Sequence, residues 1–237
     1  MTFAITGTYT VLVHAGNYGG TGTYGLSLTV FGGCSRFYLS PGVVRTQQVV
    51  CLPLTMVAPS PAVWVSFSVK APGGILTSPT VNVTSPFTNA TITPGSNSQW
   101  LVTMQSSPST GATGVIGSLC FTAVSTQSVV ATVVLNNLVV TNRGGLVPGA
   151  NAFGGRTVVI ANQPLLEPWR ATDGQRMVTT YGKANTAYVM QQTTNVCAAA
   201  SWISGWTNIV PPSMSYASPI RGPLSNAPIV FLRAREE

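Results

Sequence analysis

The side chains that could transfer protons are few and far apart in this 237-residue sequence. The only internal acids are Glu167 and Asp173, and the only histidine is His14. A glycoside hydrolase needs two opposed carboxylates, and a serine or cysteine nucleophile needs an activating histidine. We expect Glu167 to form a surface ion pair with Arg170. Asp173 is followed by Gly174, which is typical of a hairpin turn. The sequence therefore predicts that the protein is not an enzyme.

Four cysteines, Cys34, Cys51, Cys120 and Cys197, could form a disulfide or bind a metal. The sequence has no Cys-x-x-Cys pair and a single histidine, so a zinc site is not expected, nor is any cofactor. Cys51 and Cys120 fall in strand patterns, and buried free thiols are one interpretation. The other is a disulfide, for which Cys34–Cys51 is the most plausible pairing.

Trp64 is a weak candidate for ligand binding. In its alternating run it lies on the face opposite Val63, Val65 and Phe67. Flat aromatic rings stack on sugars, so one hypothesis makes Trp64 a platform for a polysaccharide. The alternative is that it packs in the core on a second sheet face.

The formal charge of +7 comes from 11 basic residues against four acidic ones. The arginines are scattered singly, with only Arg233 and Arg235 close together, whereas a nucleic-acid surface clusters its cations. We therefore expect no nucleic-acid partner, with weak attraction to anionic polysaccharide or nucleic acid as the alternative. The longest apolar window, Val129–Val140, is about 12 residues against the roughly 20 that a membrane span needs. No membrane insertion is expected.

The stretch from Val115 to Val140 is the predicted centre of the fold. It contains two alternating runs around the polar segment 125–128, with apolar residues on both faces. Further strand patterns from residue 43 onward give about eight strands spaced 8–14 residues apart. This spacing is what a two-sheet sandwich requires. The runs VWVSFSVKAPGGILT, GVIGSLCFTAV and VVATVVLNNLVVTNRGG resemble the cohesin-like jelly-roll modules of bacterial surface and cellulosomal proteins, over residues 43–145. The resemblance implies a β-sandwich module at 34–145.

Residues 7–30 predict a hairpin around the glycine-rich segment AGNYGGTG. The tetrapeptide Thr-Gly-Thr-Tyr occurs at 6–9 and 21–24, and the stretch resembles the last two strands of the bacterial pre-peptidase C-terminal domain. Because a lone hairpin is marginal in water, this partial module at 1–33 needs a partner sheet. The following domain, a missing part of a longer chain, or a neighbouring subunit bound through an open strand edge would each serve. The sequence opens without a secretory signal pattern, so an exported protein would be a mature piece or an excerpt.

A glycine- and proline-rich stretch, 146–156, predicts a linker. Beyond it, Tyr188, Trp202, Trp206 and the closing FLRARE resemble the C-terminal fibronectin type III-like modules of long secreted bacterial proteins. We expect a smaller sandwich at 157–237, with these aromatic residues in its core. The predicted fold class is all-β, built from tandem β-sandwich modules of the jelly-roll or immunoglobulin-like kind.

Three functions suit such a chain. The first is a non-catalytic structural or adhesive segment of a bacterial extracellular surface protein, or a filament subunit that self-associates through strand edges. The second is a recognition module for a polysaccharide or a protein ligand. The third is a viral capsid-type jelly-roll, which the predicted two-module division argues against. The low charged fraction of 6% suits an extracellular or cell-surface location.

Overall fold

The computed structural model describes residues 35–58, 62–106, 113–147, 149–197 and 201–237. Every regular element in these ranges is a β-strand, as the sequence predicted. All of these residues belong to one compact unit, Phe31–Glu237. The hairpin predicted at residues 7–30 lies outside the described residues, as do His14 and Cys34, and the predictions for them stay predictions.

Twelve strands build a first sandwich of two sheets. The strands are β1 Arg36–Leu39, β2 Gly42–Arg45, β3 Val49–Val57, β4 Trp64–Lys70, β5 Leu76–Val83, β6 Phe87–Pro94, β7 Gln99–Ser106, β8 Thr113–Ala123, β9 Val129–Asn142, β10 Gly145–Leu146, β11 Asn151–Phe153 and β12 Gly155–Ile160. One sheet has the order β11-β1-β3-β8-β5, and the other has the order β2-β12-β9-β4-β7-β6, with β10 paired to β9. Two parallel pairings, β1 with β11 and β2 with β12, bring the two ends of this segment together.

The two runs predicted at the centre of the fold become β8 and β9. Their predicted apolar rows, at 119–123 and 131–135, are buried in the same core. The two strands lie in opposite sheets, β8 between β3 and β5 and β9 between β12 and β4. The rows therefore pack on each other across the sandwich, and a period of two correctly identified the inward side chains.

The segment 146–156, expected to be a linker, is part of the first sandwich. Asn151–Phe153 pairs with β1, and Gly155 and Arg156 pair with Val133 and Thr132 of β9. Its glycines allow close strand packing: a Cβ on Gly154 would lie 2.2 Å from the carbonyl oxygen of Val133. The glycine content that suggested a flexible connection reflects this close approach of two backbones.

Six strands build a second, smaller sandwich: β13 Leu165–Arg170, β14 Arg176–Tyr181, β15 Thr186–Thr193, β16 Ile203–Val210, β17 Ser215–Pro219 and β18 Phe231–Glu236. They form two three-stranded sheets with the orders β13-β14-β17 and β16-β15-β18. The interior of this sandwich is partly polar. The buried Asn208 side chain donates to Thr180 and Ser218 at 3.1 Å each and accepts from the Trp206 Nε1–H at 3.0 Å.

One disulfide joins Cys51 of β3 to Cys120 of β8, which stand directly opposite each other in the strand register. This pairing replaces the expected Cys34–Cys51 bond and the interpretation of Cys51 and Cys120 as free thiols. Periodicity within a strand does not report which distant strand will be its neighbour, so the pairing was not accessible from the sequence. Cys197 is free and exposed.

The two sandwiches meet at β12. Tyr181 is buried against Val158 and Ile160. Above this apolar contact, Arg156 binds the carboxylate of Glu167 through both of its terminal nitrogens, and the Tyr181 hydroxyl donates to Glu167 at 2.7 Å. Glu167 was expected to pair with Arg170, but the two lie on opposite faces of β13, which places Glu167 toward the first sandwich.

The three polar groups at this contact shift one another's protonation. Hydrogen bonds from Arg156 and then from Tyr181 lower the pKa of Glu167. The bond to Glu167 raises the pKa of Arg156. Burial, followed by the hydrogen bond to the carboxylate, raises the pKa of Tyr181 to about 12. At neutral pH, Glu167 is therefore ionised, Arg156 is positively charged and Tyr181 keeps its proton, as these hydrogen bonds require.

Replacing both Cys51 and Cys120 with alanine should lower the free energy of unfolding by about 4 kcal/mol, because the bond closes a long loop in the unfolded chain. The two cysteines are 69 residues apart. The midpoint of urea unfolding measures the effect, with Cys197→Ala as a control that should change little. Non-reducing peptide mapping that links Cys51 to a different cysteine would contradict this pairing.

Glu167 should make stability depend on pH at the acid end. Because its pKa is lower in the folded chain than the ordinary value of 4.5, its contribution is complete above that value and is lost as the pH falls through the folded pKa. Urea midpoints measured from pH 7 to pH 3 should fall less steeply for Glu167→Gln than for the unaltered protein. Parallel curves for the two proteins would show that the cluster does not contribute.

A candidate docking seam in the second sandwich

Along one side of the second sandwich, the edge strands β13 and β18 have no further strand paired to them among those described. These strands are the edges of its two sheets, and each pairs with one neighbour among the described strands. We call the space between them the seam; its walls include Leu166, Pro168, Phe231 and Leu232. Two depressions, of 680 and 620 Å³, follow one another along it and share Leu166 and Leu232.

The backbone of β18 has its hydrogen-bonding groups satisfied on one side. The Glu237 N–H donates to the Ala187 carbonyl at 3.1 Å. This bond identifies Ala187–Glu237 as a hydrogen-bonded pair, so hydrogen-bonded and non-hydrogen-bonded pairs alternate from it along β15 and β18. In an antiparallel ladder, alternate residues direct both backbone groups to the same side. Arg233 and Arg235 therefore bond to β15, while the N–H and C=O groups of Leu232, Ala234 and Glu236 face the open edge.

The same alternation applies to β13. At its hairpin end the Ala171 N–H donates to the Gln175 carbonyl at 2.9 Å. The backbone groups of Leu166, Pro168 and Arg170 consequently point away from β14. Pro168 has no N–H to leave unpaired, which is why proline is tolerated at the open side of an edge strand. This edge offers fewer donors than that of β18.

Two side chains on the inward face of β13, those of Pro168 and Arg170, are exposed. Pro168 and Arg170 stand opposite Val178 and Arg176 in the register, and Val178 is fully buried in the interior. Pro168 and Arg170 point to the same side as Val178, yet both are exposed. The reason is that the opposing sheet ends at β18, so the described residues place no strand across from this part of β13.

Apolar side chains are concentrated at one end of the seam. Trp169 is 44% exposed, Phe231 is 42% exposed and Ile229 is 64% exposed. Single exposed apolar residues are common on protein surfaces, but a group of them along a groove marks a site of interaction. This end of the seam is therefore suited to packing against another polypeptide.

The loop 220–230, which carries Ile229, is held by two side chains from the sandwich. Gln192, fully buried, donates to the Arg221 carbonyl and accepts from the Leu224 N–H at 3.2 Å. Arg176 donates to the Ala227 carbonyl at 2.6 Å. Gly222 has a φ of +97°, and a Cβ there would lie 3.0 Å from the Gln192 amide oxygen. The wall of the seam is therefore fixed by hydrogen bonds.

The sequence-predicted candidates that fall within the described residues, Glu167, Asp173 and Trp64, do not come together. Asp173 accepts from the Gln175 N–H at 2.9 Å, and Gly174 has a φ of +85°, which confirms the predicted turn. Glu167 is engaged by Arg156. Trp64 lies half-buried on the outward face of β4, opposite Gln105 and Thr141 in the register. Its role in binding stays a prediction.

The aromatic residues predicted for the second core divide between two environments. Tyr188 is buried, and its hydroxyl accepts from the Lys183 N–H at 3.0 Å. Trp206 is half-buried beside the interior Asn208. Trp202 is not in the core: the Arg233 guanidinium lies 4.3 Å from its ring centroid. The bulge between Met190 and Gln191 accounts for the difference, because it changes which face the neighbouring residues occupy.

The seam could not be identified from the sequence. Its one local signal was Pro168, since proline within a strand pattern indicates an edge. The lining residues of β13 and those of β18 are more than 60 positions apart in the sequence, and their proximity depends on the topology. In the described part of the chain, no three potential metal-ligating side chains are grouped, and no helix there has the length and hydropathy to cross a bilayer.

No protein-family model matches the sequence, and no curated protein matches it. Solved structures similar to the chain include the sixth cohesin of scaffoldin B from Acetivibrio cellulolyticus, at 16% identity, covering 53% of this chain and 99% of that one, with a TM-score of 0.46. A non-cellulosomal cohesin from the archaeon Archaeoglobus fulgidus is 13% identical, with coverages of 54% and 92% and a TM-score of 0.44.

CaCohA2 from Clostridium acetobutylicum is 12% identical, with coverages of 53% and 90% and a TM-score of 0.47. Cohesin domains, the family that residues 43–145 resemble, are thus among the similar solved structures. At these TM-scores the likeness carries no further conclusion, and the β-sandwich fold rests on the sheets described above. The resemblances of residues 7–30 and 157–237 to two other families stay predictions.

Proposed function

We propose that this protein is a non-catalytic protein-binding segment that accepts an extended strand of a partner in the seam. The observation that carries the proposal is the open edge of β18, which lies beside the partly uncovered inward face of β13. A strand added to β18 would pair with the free backbone groups of Leu232, Ala234 and Glu236. It would also cover Leu166 and Pro168, so one binding event would satisfy both features.

The distribution of charge supports binding over catalysis. The two internal acids are engaged, Glu167 by Arg156 and Tyr181 and Asp173 by the turn that it stabilises. Neither lines the seam. Recognition through backbone hydrogen bonds and apolar packing needs no titratable group, which suits a chain with four acidic residues. We place this function in an extracellular or cell-surface protein of structural or adhesive type.

A partner strand has two ways to recognise β18. Its backbone groups would add one more strand to the sheet, and alternate side chains would point into the seam. Phe231 and Leu232 begin β18 at the apolar end, and Glu236 ends it beside the segment 162–164. A partner with small apolar residues at every second position would fit this groove.

Ala234→Pro should weaken strand binding by about tenfold, because it removes one backbone donor at the open edge and places a ring where the partner pairs. The probe is a short peptide of alternating valine and threonine with two glutamines at its C-terminal end, blocked at both termini. Fluorescence anisotropy of a labelled peptide measures its dissociation constant.

The matched control is Ala90→Pro. Ala90 is another alanine whose backbone groups face the open side of an edge strand, in β6 of the first sandwich, because the Gly95 N–H bonds to the Gln99 carbonyl. This variant should bind the peptide as the unaltered protein does. Equal binding by the unaltered protein and Ala234→Pro, or no binding by the unaltered protein, would contradict strand addition at β18.

A further inference from the structure

Two arginines face each other at one end of the seam. Arg170 of β13 and Arg176 of β14 are direct cross-strand partners. Because the adjacent pairs carry the hydrogen bonds, this is a non-hydrogen-bonded position, where opposed side chains are closest. Like charges placed directly opposite each other destabilise a sheet. The arrangement therefore favours a negative charge between the two guanidinium groups.

The described residues do not supply that charge. Arg176 donates to the carbonyl oxygens of Ser225 and Ala227, at 3.4 and 2.6 Å, which neutralises none of its charge. Arg170 makes no hydrogen bond or ion pair within the described ranges. The ion pairs formed there are Arg156–Glu167 and Lys183–Glu236.

None of the four acidic residues of the chain forms an ion pair with Arg170 or Arg176. Glu167 and Glu236 are in those ion pairs, and Asp173 accepts from the backbone of its own turn. Glu237 lies beyond the far end of β18, where its N–H bonds to Ala187. The nearest acid along the chain, Asp173, forms no ion pair with Arg170 or Arg176. The arginine pair consequently presents a net positive charge at the surface.

The surroundings of the pair are those of an anion site. A third depression of 410 Å³ is lined by both arginines and by Gln175, Ser225 and Asn226. It is continuous with the apolar end of the seam, since both depressions are lined by Arg170, Arg176 and Ile220. A guanidinium with side-chain amides beside it matches the geometry of a carboxylate.

We infer that the arginine end of the seam is a carboxylate site, and that the occupant of the seam is an acidic extended segment of another protein. The inference rests on the proposed function and adds the chemistry of the partner. A strand running antiparallel to β18 would bring its C-terminal end to Arg170, because β18 begins with Phe231 at that end. An aspartate or glutamate following the apolar positions would then contact the arginine pair.

Charge favours a separate acidic polypeptide over a second copy of this chain as the occupant of the seam. The first 166 residues contain no acidic residue, so no strand of a second copy from that part could supply the carboxylate. Two copies, each with a formal charge of +7, would also repel each other. A separate acidic polypeptide meets both conditions, and its association should be faster at low salt.

The test compares three blocked peptides on the full chain by fluorescence anisotropy. One is the neutral peptide that ends in two glutamines, the second ends in two glutamates, and the third carries its glutamates at the N-terminal end. We expect the C-terminal glutamate peptide to bind about tenfold more tightly than the neutral one, and the difference should shrink as salt rises. The third peptide should gain less.

Arg170→Gln should reduce the affinity of the C-terminal glutamate peptide to that of the neutral peptide. Arg235→Gln, which removes an exposed arginine from the opposite face of β18, should leave the difference between peptides unchanged. Unaltered circular dichroism and urea midpoints show that both variants are folded.

The outcomes separate the two proposals. If the neutral peptide binds and glutamate adds nothing, the carboxylate site is wrong while strand addition stands. If the neutral peptide does not bind, the proposed function itself fails. A sulfated disaccharide that binds more tightly than the glutamate peptide, and does so through Arg170, would replace the acidic segment with an anionic polysaccharide.

Discussion

The requirement that every backbone donor and acceptor finds a partner shapes this all-β chain. Inside the first sandwich it is met by long strand pairings, such as β3 with β8 and β4 with β9. At the edges it must be met by water, by another element or by a partner. At β18, among the described strands, an open edge lies beside exposed apolar side chains and a partly uncovered facing strand. The proposed function depends on this combination of features.

Because the chain has few acidic residues, the seam beside this edge has a positive charge at one end. Among the described residues, neither Arg170 nor Arg176 forms an ion pair with a carboxylate. Here Glu167 points to the first sandwich, where Arg156 and Tyr181 hold it. One carboxylate thus joins the two sandwiches, and the arginine pair is left without one. The small number of acidic residues therefore bears both on the contact between the two sandwiches and on the acidic partner that we infer.

The sequence predicted the parts of the fold that depend on local pattern. The inward rows of β8 and β9, the hairpin turn at Asp173 and the all-strand character of the described elements all follow from periodicity and turn chemistry. Predictions that needed long-range information were wrong: Cys51 pairs with Cys120, Glu167 with Arg156, and the glycine-rich segment 146–156 forms strands. The seam depends on which strands end each sheet, and only Pro168 carried a local trace of it.

Amide hydrogen exchange measured by NMR on the full chain tests the open edge of β18 most directly. The account predicts alternation in the free protein: the amides of Arg233 and Arg235 exchange slowly, while those of Leu232, Ala234 and Glu236 exchange fast. Adding the C-terminal glutamate peptide should slow the second group and leave the first unchanged. Uniform protection along β18 in the free protein would show that the edge is already covered, and would contradict the account.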